Sequence, residues 1–271
     1  MLQNKIMKNI LIVVQGKKFP ESVFEFAYKL NEQSPVSLTA LVFPQMVHIE
    51  NWAAYSAASA GTLVDPAVET NTHRLMEWSK EHHINCAIHH GSMEQGVSQI
   101  IKESRFADLI LVADDSFYKE EGSTILDAIK DVMHHSECPV MVIPENVSFP
   151  EHLLFAYDGS QSSMAAIKQI TYLFPEFRTL DSIFLHMGKD DIDIPYKENI
   201  AQWITGYFPN HTFVNIRSDA DEYFGSGVRS LPTLVIAGAF GRTALSQWFH
   251  PSFADDLVSK YRVPLFVYHA S

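Results

Sequence analysis

The sequence has few cysteines, few basic residues and no long apolar run, and each shortage excludes a class of protein. Its 2 cysteines in 271 residues are too few for the disulfide framework of a small secreted protein. Its 20 basic side chains face 32 acidic ones, and the net charge of −12 argues against binding to nucleic acid or to anionic membranes. The start of the chain, 1–8, is polar, and the apolar run at 10–14 is much shorter than the about 20 residues of a membrane span. We therefore expect a cytoplasmic protein with reduced thiols.

Short apolar runs alternate with helically spaced apolar residues, and the alternation occurs twice along the chain. Strand-like runs lie at residues 10–14, 37–43, 85–89, 109–113 and 140–143, and again at 153–157, 182–186, 212–216, 233–237 and 265–268. Helical patterns separate them. This order predicts, in each half, a parallel sheet with helices on both faces.

Two pairs of similar segments, one member in each half, indicate a duplication. Residues 107–113 (ADLILVA) resemble 231–237 (LPTLVIA), and 137–144 (ECPVMVIP) resemble 262–269 (RVPLFVYH). Pro144 and Pro150 interrupt the periodicity between the halves. We predict two domains, at residues 1–146 and 150–271. The Ala/Ser-rich segment at 45–66 is predicted to be a surface insertion, which either covers a cleft or has no role.

The second half carries polar and small residues directly after its predicted strands, where a parallel sheet binds its ligands. Asp158 and Gly159 follow the first strand, and Asp158 is a candidate acceptor for a ribose hydroxyl or an adenine amino group. The alternative is that Asp158 only stabilises a turn. Met187 ends the second strand and either lines an adenine pocket or packs in the core.

A second candidate segment follows the fourth strand of that half. Gly238 and Gly241 permit close approach of the backbone to a ligand, and Arg242 could neutralise phosphate charge. Ser252 opens the last predicted helix, at 253–261, whose N-terminal amides could bind phosphate oxygens. A lone G-x-x-G is more often an ordinary turn, so the segment gains weight only together with Asp158.

These motifs resemble the universal stress protein family. The resemblance rests on the repeated α/β units, on the D-G-S-x-x-S turn at 158–163, and on G-x-x-G at 238–241 followed after nine residues by a small pair. It implies two flavodoxin-like (HUP-type, adenine nucleotide alpha hydrolase-like) domains, each with a five-stranded parallel sheet in the order 3-2-1-4-5. It also implies that the last strands of the halves pair across a pseudo-two-fold axis, so that one chain imitates a dimer. By resemblance, Asp158 belongs to the adenosine side and Gly238, Gly241 and Ser252 to the phosphates.

The chain departs from the family pattern in both halves. Pro251 stands where nucleotide-binding members have glycine, and it has no N–H to offer a phosphate. The first half departs further. Gln15 and Gly16 stand where the second half has Asp158 and Gly159. The alignment of the apolar runs places Asp114 and Phe117 at the positions of Gly238 and Gly241. Leu126 and Asp127 then correspond to Pro251 and Ser252. The acids Asp115, Glu120 and Glu121 add charge that opposes phosphate. We expect a degenerate nucleotide site in the first half and a partly retained one in the second.

We expect a stress-response regulatory or binding protein that senses ATP or AMP in its second half, with Mg²⁺ present only on the nucleotide. The alternative is a protein-interaction module that binds no nucleotide, whose former nucleotide sites have lost their function and whose protein partner is unknown. A slow ATP hydrolase is the weakest reading, because the Walker pattern and the G-x-S-x-G elbow are both absent from the sequence. We therefore expect no enzymatic activity. Association of two chains into a homodimer remains open.

Overall fold

The computed structural model describes residues 7–16, 18–44, 66–92, 95–114, 125–187, 194–216, 231–238 and 256–269. Ten strands lie in these ranges: β1 (Lys8–Gln15), β2 (Val36–Phe43), β3 (Cys86–His90), β4 (Leu109–Ala113), β5 (Val140–Ile143), β6 (His152–Ala156), β7 (Asp181–Met187), β8 (His211–Ile216), β9 (Thr233–Gly238) and β10 (Leu265–Tyr268). Each coincides with a predicted run to within about two residues, because short runs rich in Val, Ile and Leu favour strands buried on both faces.

The helices connect successive strands. They are α1 (Glu21–Gln33), α2 (Pro66–His82), α3 (Gly96–Ser104), α4 (Ile125–His135), α5 (Gln161–Leu173) and α6 (Lys197–Thr205). A 3-10 helix (Pro175–Thr179) precedes β7, and residues 256–259 are helical within the last predicted helix. The predicted insertion falls almost wholly at 45–65, outside the described residues. None of the helices in the described ranges is long and apolar enough to cross a membrane.

The strands form one ten-stranded sheet in the order β3-β2-β1-β4-β5-β10-β9-β6-β7-β8. Within each half the order is the predicted 3-2-1-4-5, and all pairs within a half are parallel. The flavodoxin-like α/β architecture is therefore confirmed. The prediction of two five-stranded sheets is refined, because the two half-sheets are continuous with one another.

The halves join through the last strand of each, as predicted. β10 pairs antiparallel with β5, and Phe266 lies opposite Met141 at the centre of the joint. On one side of this pair Leu265 faces Val142, and on the other Val267 faces Val140. The pattern is symmetric about Met141 and Phe266. An apolar edge that would otherwise be open to pairing with another chain is thereby covered in each half.

Alternate residues of the strands fill two cores, one on each face of the sheet. One core receives the apolar faces of α1, α2, α5 and α6, and the other receives those of α3 and α4 and of residues 257–258. The first core runs through both halves without a break. Phe149, on the chain between β5 and β6, contacts Phe26 of the first half and Phe177 of the second, with ring centroids 5.0 and 5.9 Å away.

Candidate functional site

Asp158 lies at the carboxyl end of β6, where its carboxylate shapes the turn into α5. The Ser160 backbone N–H donates to Asp158 Oδ1 at 2.8 Å, and the Ser163 N–H donates to the Ser160 hydroxyl at 3.1 Å, which caps the helix. Asp158 Oδ2 accepts no hydrogen bond within the described part of the chain. The carboxylate is half-buried and keeps capacity to accept from a hydroxyl or an amino group.

Gly159 is fixed by both conformation and packing. Its φ is +77°, and a Cβ at this position would lie 2.5 Å from Pro195 Cβ. The Tyr157 hydroxyl donates to the Pro195 carbonyl at 2.9 Å, so the segment before α6 is tied to this turn. Burial raises the pKa of Tyr157, and the nearby Asp158 and Tyr196 raise it further. The hydroxyl therefore stays a neutral donor to the Pro195 carbonyl.

Gly238 brings the end of β9 against the first turn of α5. A Cβ on Gly238 would lie 2.5 Å from both the Ser162 carbonyl carbon and the Ser163 nitrogen, which are backbone atoms. The structure thus places Gly238 and the Asp158 turn at the same carboxyl edge, on either side of the start of α5. It also gives Gly238 a packing role that needs no ligand.

The remaining predicted site residues lie outside what the structure describes. Gly241, Arg242 and Ser252 fall in 239–255, and so does Pro251. Met187 is the last residue of β7, but its side chain is not among those described. Their assignment to phosphates or adenine stays a prediction.

His186 is a polar residue at this edge that sequence reasoning does not single out. Its Nδ1–H donates to the Tyr157 carbonyl at 2.9 Å, which leaves Nε2 as an acceptor in the neutral ring. The side chain is 6% exposed, and Nε2 is buried without a hydrogen-bond partner among the described residues. The signal in the sequence is a single histidine within an otherwise apolar run. One residue gives no indication of which carbonyl fixes its tautomer.

The strand register shows which residues of the first half correspond to this edge. Ala113 pairs with Ile143, four residues after Pro139, and Gly238 pairs with Tyr268, four residues after Pro264. With the two prolines equivalent, Ala113 corresponds to Gly238. The predicted match of Asp114 with Gly238 is therefore wrong by one residue, because two apolar runs can be slid past each other without losing their resemblance. The match of Gln15 and Gly16 with Asp158 and Gly159 agrees with the register.

In the first half, protein side chains occupy the corresponding edge. Asn71 of α2 is 0% exposed, and its Nδ2 donates to the Gly16 carbonyl at 2.7 Å. Asp114 accepts from Arg262 Nη1 at 2.8 Å, with side chains 7% and 54% exposed. Arg262 precedes β10, so a cation of the second half neutralises a carboxylate at the carboxyl edge of the first.

Metal and thiol chemistry receive no support from the described residues. No group of three or more His, Cys, Asp or Glu side chains in these ranges could hold a metal ion. Burial raises the pKa of Cys86 to about 11 and that of Cys138 to about 12, with Asp108 adding to the shift at Cys138. Both cysteines are free thiols and protonated at neutral pH, which makes them weak nucleophiles.

Comparison with known proteins identifies the fold. No protein-family model matches the sequence, and no curated protein matches it. Among solved structures, a universal stress protein from Archaeoglobus fulgidus DSM 4304 aligns with a TM-score of 0.65 at 14% identity, over 96% of each chain. A functionally unknown protein from Pseudomonas aeruginosa PAO1 aligns with a TM-score of 0.60 at 15% identity, over 97% of this chain and 92% of that one.

A third structure, from Pseudomonas aeruginosa UCBPP-PA14 and provisionally named a universal stress protein, aligns with a TM-score of 0.57 at 14% identity, over 97% and 93% of the two chains. These alignments cover both halves of the sheet. The chain has the fold of the universal stress proteins.

Proposed function

We propose that the protein is a non-catalytic member of the universal stress protein family that binds an adenine nucleotide at the carboxyl edge of its second half. The observation that carries the proposal is the Asp158 carboxylate. It stands just after β6, with one oxygen held by the Ser160 N–H and the other without a hydrogen bond from any described residue. Such an acceptor suits the hydroxyls of a ribose.

In this proposal the rest of the predicted site surrounds Asp158. Met187 contacts the base, Gly238 and Gly241 permit close approach, and Arg242 and the amide of Ser252 bind the phosphates of ATP or AMP. Any Mg²⁺ arrives on the nucleotide, since the described residues offer no acidic cluster for it. Pro251 removes one amide donor, so we expect AMP to bind nearly as well as ATP.

The proposal restricts binding to the second half. In the first half Gln15 replaces the acceptor carboxylate, Asn71 already holds the Gly16 carbonyl, and Asp114 is paired with Arg262 at the strand end. We propose one nucleotide per chain and a regulatory role in the cytoplasm, in which the bound nucleotide alters contact with a protein partner.

The first test identifies any nucleotide that accompanies the protein. The protein purified without added nucleotide is denatured, and the released small molecules are measured by mass spectrometry. AMP and ATP are then titrated calorimetrically into the stripped protein. We expect one site per chain with a micromolar dissociation constant. Absence of binding at millimolar AMP and ATP would refute the proposal.

A matched pair of variants locates the site. Asp158→Asn keeps an oxygen that can accept the Ser160 N–H but removes the charge, so the turn survives while the ribose acceptor weakens. Loss of a charged hydrogen bond is expected to reduce AMP affinity about tenfold or more. The control is Asp108→Asn, because Asp108 accepts one backbone N–H, from Asn9 at 2.7 Å, at the opposite edge of the sheet. Equal affinities in the two variants would contradict the assignment.

A second function, a nucleotide-free interaction module, is favoured by a specific observation. Gly238 is required by its contact with the α5 backbone, and Asp158 is already used in its own turn, so both motif residues have structural roles without a ligand. This alternative predicts no rise in melting temperature with AMP or ATP and no nucleotide in the mass spectrum. It also predicts a partner that remains bound when nucleotide is added or removed.

A further inference from the structure

A cleft of about 720 Å³ lies between α5 and α6, on the helical face of the second half. On α5 it is lined by Gln161, Met164, Ala165 and Lys168, which recur at the three- and four-residue spacing of one helix face. The opposite face of α5 packs into the sheet core. The cleft therefore lies along the outer side of α5 and is not a gap in the core.

The lining is apolar and aromatic along most of its length. α6 contributes Ile200 and Trp203 opposite Met164 of α5, and Tyr196 lies where α6 begins. Tyr196 is 71% exposed, so its ring is available to a ligand at this end of the cleft. Rings and a methionine facing each other across a groove suit a flat apolar ligand.

Lys168 is the one charged side chain that lines the cleft within the described residues. Its side chain is exposed, like that of Lys102, and forms no ion pair with another described residue, in a chain whose net charge is −12. Among the described residues, the lining contains no carboxylate. An unpaired ammonium at an apolar groove favours a ligand that carries negative charge at one end.

We propose that this cleft binds a small aromatic carboxylate, with the carboxylate at Lys168 and the ring between Met164 and Trp203. The dimensions agree. Lys168 lies about 10 Å along α5 from Gln161, at 1.5 Å per residue, so the groove accommodates a two-ring molecule. Its volume falls within the range of about 300–1,000 Å³ that is typical of small-molecule sites.

The proposal goes beyond the nucleotide site, with which the cleft shares Gly159. Of the predicted nucleotide residues that the structure describes, Gly159 lines the cleft, and Asp158 and Gly238 do not. Asp158 is not part of the lining, and its charge lies at the end of the cleft away from Lys168. An aromatic carboxylate is thus placed where the repulsion from Asp158 is smallest.

The test uses three probes that share one ring system and differ in charge: 1-naphthoate, 1-naphthamide and 1-naphthylmethylammonium. Each is titrated into the full-length protein and followed by saturation-transfer NMR. At about 0.3 kcal/mol per heavy atom, naphthoate binds with a dissociation constant on the order of 1 mM or tighter. We expect the amide to bind about threefold to fivefold more weakly, and the cation more weakly still.

Two variants separate the charge from the groove. Lys168→Gln lowers naphthoate affinity about threefold to fivefold and leaves naphthamide unchanged, because it removes the charge and keeps most of the stem. Lys102→Gln is the control, since Lys102 is an exposed lysine on α3 of the first half. Ala165→Leu fills the groove and reduces binding of naphthoate and naphthamide alike. If this variant is unstable by circular dichroism, Lys168→Gln still decides the question.

The proposal is overturned if naphthoate fails to bind at several millimolar, if the three probes bind equally, or if Lys168→Gln and Lys102→Gln behave alike. Its failure is distinguishable from failure of the nucleotide proposal. Asp158→Asn is expected to weaken AMP and to leave naphthoate unchanged. Excess AMP is expected not to displace naphthoate.

Discussion

The two halves of the sheet share one strand order but use their carboxyl edges differently. In the first half, Asn71 donates a hydrogen bond to the Gly16 carbonyl, and Arg262 donates one to the Asp114 carboxylate. In the second half, Asp158 keeps a carboxylate oxygen that accepts no hydrogen bond from the described residues, and the end of β9 at Gly238 packs against the backbone of α5. Apolar runs buried on both faces build the strands of both halves. At the carboxyl ends the two halves bury different polar groups, so the edges differ while the strands correspond.

The largest expected effect comes from Gly238. Gly238→Ala places a Cβ 2.5 Å from two backbone atoms of α5, which cannot rotate away as a side chain could. We expect a loss of about 2–3 kcal/mol in the free energy of unfolding, measured by urea denaturation. The counterpart in the first half already carries a Cβ, so Ala113→Gly is the matched control and should cost about 1 kcal/mol. Equal losses in the two variants would show that the close contact between β9 and α5 at Gly238 does not determine stability.

Asn71 tests whether the first edge is held by protein contacts. Asn71→Ala removes the donor to the Gly16 carbonyl and leaves a small cavity, and we expect a loss of about 2 kcal/mol. Asn199→Ala, an exposed residue of α6 in the second half, should change the free energy of unfolding by less than about 0.5 kcal/mol. Both are read from urea denaturation midpoints at constant slope. A negligible effect at Asn71 would mean that the turn at Gly16 holds its own shape.

Arg262 tests the ion pair that crosses between the halves. Arg262→Gln should cost about 1 kcal/mol, a modest value because the guanidinium is half-exposed although Asp114 is buried. The double variant with Asp114→Asn should recover part of the loss, since no carboxylate is then left beside a neutral partner. A double-mutant cycle measures the coupling, and additive losses would show that the two side chains do not interact.

The smallest effect concerns the thiols, both of which lie in the first half. Because burial raises the pKa of Cys86 to about 11 and of Cys138 to about 12, labelling by a disulfide reagent at pH 8 should be slow in the folded protein and fast in urea. Above about pH 9 the unfolded chain loses these protons before the folded chain does. The contribution to stability therefore falls as the pH rises from 9 towards 11. Rapid labelling of both thiols at pH 8 would contradict this.

The periodicity of the sequence is sufficient to predict the strands, since each run buries its own side chains, whereas the strand order is predicted from the resemblance to the universal stress protein family. The helical periodicity is weaker in α6, which has nine residues, of which Ile200 and Ile204 are buried. Correspondences between the halves are harder to predict. The runs at 107–113 and 231–237 remain similar when one is shifted by a residue against the other, because both are apolar. Only the pairing of β4 with β5 and of β9 with β10 shows which residues correspond.

Contacts between distant residues account for what the sequence does not reveal at the site. The bond from Asn71 to Gly16 joins positions 55 residues apart, and Arg262 reaches Asp114 across 148. Neither partner carries a local signal, because an amide on a helix or an arginine before a strand is ordinary in itself. The Asp158 turn, by contrast, is local: its acceptor and donor are two residues apart, and its motif is visible directly.

The antiparallel joint at Met141 and Phe266 also determines how the chain can be divided. Arg262 belongs to the second half by sequence but completes the first half in space. A fragment ending after β5 would lose the cation beside Asp114 and expose the strand that β10 covers. Such a fragment would be expected to cover that strand with a second copy of itself, so its behaviour in solution would describe a new assembly and not the first half of this protein.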